Sequence, residues 1–168
     1  PLRCIAFHTY YGEEITPREL RVPMGTWIYG CDLCQEACPR NRPWMKKDLP
    51  ADPDLDSRAS DYGLMTLLHM DREHYEEKVW PRFFYMSRSR MDRWQMNAAR
   101  ALGNLGDSCF IPDLERSLTE SPFPNVRGMS AWSLGRIGGK KARSLLEKRL
   151  GVEEDSVAEE IRSALEGE

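Results

Sequence analysis

Four cysteines are spaced for metal chemistry. Cys31, Cys34 and Cys38 stand as C-x2-C-x3-C with Pro39 directly after, and Cys4 lies upstream. The run is the closing half of the C-x2-C-x2-C-x3-C-P spacing by which thiolates hold iron–sulfur clusters. A C-x2-C pair sets two sulfurs on one tight turn, and the third follows about one helical turn later. Proline has no N–H and a fixed φ, so it ends backbone pairing and stiffens the exit. Gly30, just ahead of Cys31, lets backbone come close to an inorganic sulfide. The competing chemistry is zinc or buried structural thiols. Zinc sites usually use a second C-x2-C or Cys/His pair, and the sequence holds none.

Counting the thiols gives an incomplete set. The five cysteines are Cys4, Cys31, Cys34, Cys38 and Cys109. In two-cluster ferredoxins the cysteine before the proline serves the other cluster. On that pattern Cys31 and Cys34 share a cluster with Cys4 and lack a fourth ligand. Cys38 then belongs to a second cluster whose other ligands are absent. With Pro1 as first residue and a candidate ligand already at Cys4, the sequence is expected to be the C-terminal piece of a longer protein. The four thiols could instead gather one [4Fe–4S] cluster, or zinc, within the piece.

Composition narrows the class. The chain has 168 residues, 40% of them hydrophobic, and a formal charge of −3. That length buries a real core in one or two small domains, and the charge is too mild to name a partner. No secretory signal is visible, and no apolar run approaches the roughly 18 residues of a membrane span. Clustered C-x2-C thiols without a disulfide framework suit a reducing compartment. A soluble, cytoplasmic protein is expected, with no membrane partner and as a monomer.

Three segments position this chemistry. Residues 1–45 form the cysteine-rich module. In it, Thr16-Pro17-Arg18-Glu19 reads as a capping box starting a short helix at Pro17. The aromatics of residues 24–30 either shield a cluster or pack in an ordinary core. Residues 46–59 read as a linker, part of a wandering stretch rich in Pro, Asp and Lys. Residues 60–168 are helical. A first pattern, from about Ser60 to Val79, puts Leu64, Leu67 and Leu68 on one face, with His69 or Met70. Pro81 breaks it.

The last 80 or so residues repeat. Ala98-Ala99-Arg100-Ala101-Leu102-Gly103 matches Ser130-Ala131-Trp132-Ser133-Leu134-Gly135 at an offset of 32 residues, and a weaker copy surrounds Ile161 to Gly167. Helical hairpins with small Ala and Gly at their contacts stack so that each buries what it cannot bury alone. The expected fold is therefore mainly α: a ferredoxin-like Cys-rich cluster module, then a short α-solenoid of HEAT-like helical hairpins. Between Arg82 and Arg100 stand Arg82, Arg88, Arg90, Arg93 and Arg100 with the single acid Asp92, among Phe83, Phe84, Tyr85 and Trp94. Arginines with aromatics suit a surface that follows phosphates and stacks on bases. Lys140, Lys141 and Arg143 make a weaker patch. His8, His69 and His74 have no partner at a telling spacing, so no acid–base role is assigned and no catalytic residue is expected here.

From Cys4 to Asn41 the sequence reads R-C-I-A-F-H-T … P-x-E-L-R … M-G-x-x-I-Y-G-C-D-x-C-Q-x-x-C-P-x-N, with a 27-residue step from Cys4 to Cys31. This resembles epoxyqueuosine reductase, and the likeness runs through the Leu-rich helix and the basic stretch into the repeats. The resemblance implies a cobalamin-binding catalytic region upstream of Pro1, a double [4Fe–4S] module and a HEAT-like tail. It implies reduction of the epoxide of epoxyqueuosine in the tRNA anticodon, the last step to queuosine, with electrons from an external donor. By position, Cys4, Cys31 and Cys34 would ligate the cluster nearer the cobalamin, and Cys38 the other. Asp32, Gln35 and nearby backbone amides become candidate donors to cluster sulfur, and Arg82 to Arg100 the tRNA contact. The isolated stretch is expected to be inactive. Cys109 matches no ligand and is expected to be a core thiol.

Two departures, Thr9-Tyr10-Tyr11 for T-I-E and Cys38-Pro39-Arg40-Asn41 for C-P-W-N, leave an alternative open. It is a related corrinoid or reductive-dehalogenase-like oxidoreductase using the same module. From another class comes a HEAT-repeat interaction protein with a structural zinc or a redox-sensing cluster.

Overall fold

The structure is a computed structural model that describes residues 3–12, 15–48 and 50–167. Its first helices are short: α1 (Ile5–Tyr10), α2 (Arg18–Arg21), α3 (Leu33–Ala37), α4 (Arg42–Met45) and α5 (Pro53–Arg58). A 3-10 turn, Ala59–Tyr62, leads into α6 (Leu64–His69), and α7 (Arg72–His74) runs on as a π-helical turn, Tyr75–Val79. The long helices follow: α8 (Met91–Leu105), α9 (Ile111–Glu120), α10 (Pro124–Ile137), α11 (Gly139–Leu150) and α12 (Asp155–Glu166). No strand occurs among the described residues.

The 32-residue repeat becomes a stack of α8, α10 and α12, with α9 and α11 as the returning arms. Small residues set the spacing. A Cβ built on Gly103 would lie 2.7 Å from the Ser133 Cβ and 2.9 Å from its Cα. One repeat on, a Cβ at Gly135 would lie 2.6 Å from the Ala164 Cβ and 2.9 Å from its carbonyl oxygen. The same contact is thus used twice, and Ser133 Oγ adds a 2.8 Å hydrogen bond to the Ala99 carbonyl. Gly106, Gly138 and Gly167 close these helices at positive φ, as expected for glycine C-caps.

One apolar core runs through the stack, from Leu67, Leu68 and Tyr75 through Trp94 and Leu102 to Leu134, Leu146 and Ile161. Helix α6 packs on α8 as the first layer. Arg127 and Arg149 hold the buried Glu153 carboxylate between them, tying α10 to the end of α11.

Local sequence signals yield to other interactions at three places. The capping box does not form. The N-cap of α2 is Pro17, Glu19 is exposed, and Thr16 is buried with its Oγ1 unpartnered among the described residues. Its carbonyl accepts from Arg21 Nε at 2.7 Å instead, so a long-range anchor outweighs a local cap. The single helix from Ser60 to Val79 is broken at Met70, which is extended. Asp71 then restarts the chain by accepting from the His74 amide at 2.8 Å. Apart from the half-buried Asn41, the described residues from Arg40 to Ser57 are exposed, yet α4 lies within this stretch and α5 begins in it. Asp52 caps α5 by accepting from the Asp54 amide, with Pro53 in its first turn.

Candidate iron–sulfur ligand site

Cys4 is the N-cap of α1, and its carbonyl accepts from the His8 amide at 3.2 Å. Cys31 and Cys34 flank the N-cap Asp32 of α3, and Cys38 is the extended C-cap of the same helix. That extended backbone is what a following proline imposes. Cys4 and Cys34 are exposed, Cys31 and Cys38 half-buried, and all four thiols are free. Gly30 has φ +63, and a Cβ there would also meet the Tyr10 hydroxyl at 2.5 Å. The positive φ is what favours glycine before Cys31, since the Tyr10 hydroxyl sits at the end of a side chain that could move aside.

The site is tied together from behind. Thr9 Oγ1 accepts from the Gly30 amide at 3.1 Å and donates to the Ala6 carbonyl at 3.0 Å. The end of α1 is thus fixed to the start of the cysteine turn. Tyr29 stacks on Trp94 at 4.9 Å and meets Phe83 and Tyr10 at 4.7 and 4.4 Å. Of the two readings of these aromatics, core packing holds for Tyr29. Burial and the neighbouring Tyr10 push its phenol up to about 12. Asn41 Nδ2 donates to the Gln35 carbonyl and to Gln35 Oε1, steadying the loop past Cys38. Gln35 keeps its amide N–H groups as donors. Asp32 is exposed.

Soft thiolates suit iron–sulfur ligation, and α3 has no side-chain cap, which leaves its first amides without a side-chain partner. The residues present fit the group as ligands. They do not form a closed site: among the described residues, no three Cys, His, Asp or Glu side chains converge to hold a metal. Cys109 lies elsewhere, exposed in the middle of the 3-10 turn Ser108–Phe110, and is not a core thiol. Desolvation and the hydrogen-bonded Asp107 push its thiol up.

The arginine stretch divides. Arg93 and Arg100 are 1% and 0% exposed, so neither belongs to the expected arginine surface. Arg93 Nη2 donates to the His8 carbonyl at 2.9 Å. Arg100 donates to the carbonyls of Gly25, at 2.6 Å, and Trp27. Burial lowers both guanidiniums to about 10, which leaves them charged at neutral pH. Arg90 is half-buried against Asp92 at 3.0 Å. Arg88 is exposed, paired with Glu76 at 2.7 Å and lying over the Trp80 ring. Arg82 is exposed and donates to the Lys78 carbonyl. Beside them Phe84 and Tyr85 stack on each other at 4.7 Å, 62% and 69% exposed. His69 pairs with Asp113 at 3.0 Å, and His74 Nε2 meets the Asp61 carbonyl, which are structural roles.

Residues 1–41 match the 4Fe-4S double cluster binding domain, and residues 86–166 match HEAT repeats. An uncharacterized protein of Geobacillus stearothermophilus is 34% identical over 97% of this chain and 72% of its own length. The epoxyqueuosine reductase of Bacillus subtilis is 34% identical over 98% of this chain. A crystal structure of epoxyqueuosine reductase with a tRNA-Tyr epoxyqueuosine-modified stem loop superposes on 99% of this chain, with a TM-score of 0.81 and 33% identity.

The chain belongs to the epoxyqueuosine reductase family. It corresponds to a C-terminal portion, spanning 42% of the length of the Bacillus subtilis relative and 44% of the tRNA-bound structure's chain. A second family structure, from Streptococcus thermophilus, matches at a TM-score of 0.73 and 26% identity. Both segments of the architecture, cluster module and helical repeats, are therefore those of the family. No helix among the described residues is long and apolar enough to cross a membrane.

Proposed function

We propose that this chain is the electron-relay and tRNA-docking portion of an epoxyqueuosine reductase, the oxidoreductase that reduces epoxyqueuosine to queuosine in tRNA. Cys4, Cys31 and Cys34 ligate one [4Fe–4S] cluster and Cys38 the second, with the remaining ligands from outside this chain. When bound, such clusters supply one-electron transfer, and hydrogen bonding and burial set their potentials. The chain's own part is to hold the thiols, keep Gly30 close-packed and present amides to the sulfurs. No residue here is assigned to cobalamin, which the reading puts outside this chain with the catalytic acid. The cluster module is residues 1–45, joined by 46–59 to the helical domain at 60–168. A reducing cytoplasm suits the thiols, and an external donor supplies the electrons.

One observation carries the reading: the cysteine turn and the repeats together superpose, over almost the whole chain, on an epoxyqueuosine reductase bound to its tRNA stem loop. For the tRNA contact, the arginines that remain on the surface are Arg82, Arg88 and the half-buried Arg90, beside the Phe84–Tyr85 pair. The test is tRNA binding by the gene's full-length product as a function of salt. Arg82→Ala and Arg88→Ala should each weaken binding and reduce the salt slope by about 1. Unchanged affinity and slope in the double variant would remove tRNA docking from this face.

A further inference from the structure

Helix α8 carries a polar stripe, two of whose four members have no polar counterpart in the next repeat. Arg93, Asn97, Arg100 and Asn104 follow one another at steps of four, three and four, which is one face of a helix. One repeat further on, the positions equivalent to Asn97 and Arg100 are Met129 and Trp132, both buried. Solenoid packing alone is satisfied there by apolar side chains. On α8 the whole stripe instead donates to backbone carbonyls of the cysteine module. Arg93 takes His8, Arg100 takes Gly25 and Trp27, and Asn104 takes Arg21 and Gly25 at 2.7 Å each.

Asn97 differs from the others in what it joins. Its Nδ2 donates to the Thr9 carbonyl at 3.3 Å and to the Ile28 carbonyl at 2.9 Å. Thr9 is near the end of the helix capped by Cys4, and Ile28 leads through Gly30 to Cys31. Thr9 Oγ1 already accepts from the Gly30 amide, so both segments meet at residue 9. Asn97 is 0% exposed, and its Oδ1 has no partner among the described residues. Burying such an acceptor carries a penalty that an apolar residue would avoid.

We propose that Asn97 is a positioning residue for the iron–sulfur ligands, setting the Cys4 helix against the Cys31–Cys34 turn from within the repeat domain. The proposal rests on the cluster reading above. Groups that orient metal ligands from behind tune both affinity and potential, and here the tuning acts through backbone. The HEAT-like domain is then part of the redox site and not only a docking arm.

The test uses the gene's full-length product, purified and reconstituted without oxygen, as wild type, Asn97→Met, Asn97→Ser and the control Asn104→Ser. Asn97→Met installs the residue that the next repeat tolerates, and Asn97→Ser keeps a donor if the first variant folds poorly. Tm is recorded for each, together with the cluster EPR spectrum, the midpoint potential and the rate of iron loss to a chelator. The expected result is a changed EPR line shape, a shifted potential and iron loss faster on the order of tenfold in the Asn97 variants. Asn104→Ser should lower Tm and leave the spectrum and potential as in wild type. Asn97 variants that lose Tm like the control, but keep the wild-type spectrum, potential and iron retention, would overturn the proposal. Failure of the cluster reading itself would appear in the wild type alone, as protein without iron and sulfide.

Discussion

Arg21, 1% exposed, reaches from α2 to α12 and forms a paired contact with Glu160, at 2.7 and 2.8 Å. Its guanidinium also lies 5.6 Å from the Trp132 ring centroid. Two charges out of water need each other. Glu160→Ala should cost about 3–5 kcal/mol, because it strands a buried cation, whereas a joint Arg21→Met, Glu160→Met replacement should recover most of that loss. Urea unfolding of the four members of the cycle measures it, and additive effects would show the pair uncoupled. Tyr75 makes a second residue-level prediction. It is fully buried, donates to the Ser87 carbonyl at 2.9 Å, and burial pushes its phenol up to about 12. Between pH 10 and 12 the unfolded chain loses this proton first, so stability present below pH 10 falls as pH rises through that window. Tyr75→Phe should flatten the fall by about 2 kcal/mol; an unchanged slope in pH-dependent unfolding would reassign it. At this scale the thiols were legible, because their spacing is itself the chemical signal. The roles of Arg93, Asn97 and Arg100 were not. Their partners are carbonyl oxygens, which every residue carries, so the sequence does not show what they bind. Arginine among aromatics looks the same whether it faces phosphate or a buried loop.

Helix contacts depend on two glycines. Ala at Gly103 or at Gly135 would drive its Cβ into the backbone of the facing helix, at 2.9 Å from Ser133 Cα or from the Ala164 carbonyl oxygen. Each substitution gains helix propensity yet should destabilise by about 1–3 kcal/mol net through overpacking. Gly151→Ala has open space around it and an ordinary φ of −80, so it should be neutral or stabilise by about 0.4–1 kcal/mol. Opposite signs in thermal unfolding support this account of the stack, and equal effects would contradict it. The repeat was legible because small residues recur at the same register in successive copies. The breaks were less so. Asp71 and Asp52 are capping residues in plain sight, but a leucine-rich face and a Pro/Asp-rich stretch masked them. Thr16 is the converse case, a cap signature that yields to a distant anchor.

The molecule as a whole joins two sequence segments with different tasks. The cysteine turn has little core of its own, since α3 and α4 bury no residue. Its order comes from α8 through hydrogen bonds to the 8–28 backbone, and from α12 through Glu160. Sequence periodicity reveals the helical stack, and cysteine spacing reveals the cluster run, but the joint between them has no periodicity to read. On the proposed function, this joint presents ligands for two clusters. This is tested most directly by iron, acid-labile sulfide and zinc per chain in the anaerobically prepared full-length product, alongside Cys31→Ala and Cys38→Ala. Equal iron and sulfide are expected, at roughly the eight of each that two [4Fe–4S] clusters contain, with a loss in each variant. Zinc in place of sulfide, or iron and sulfide unchanged in both variants, would contradict it.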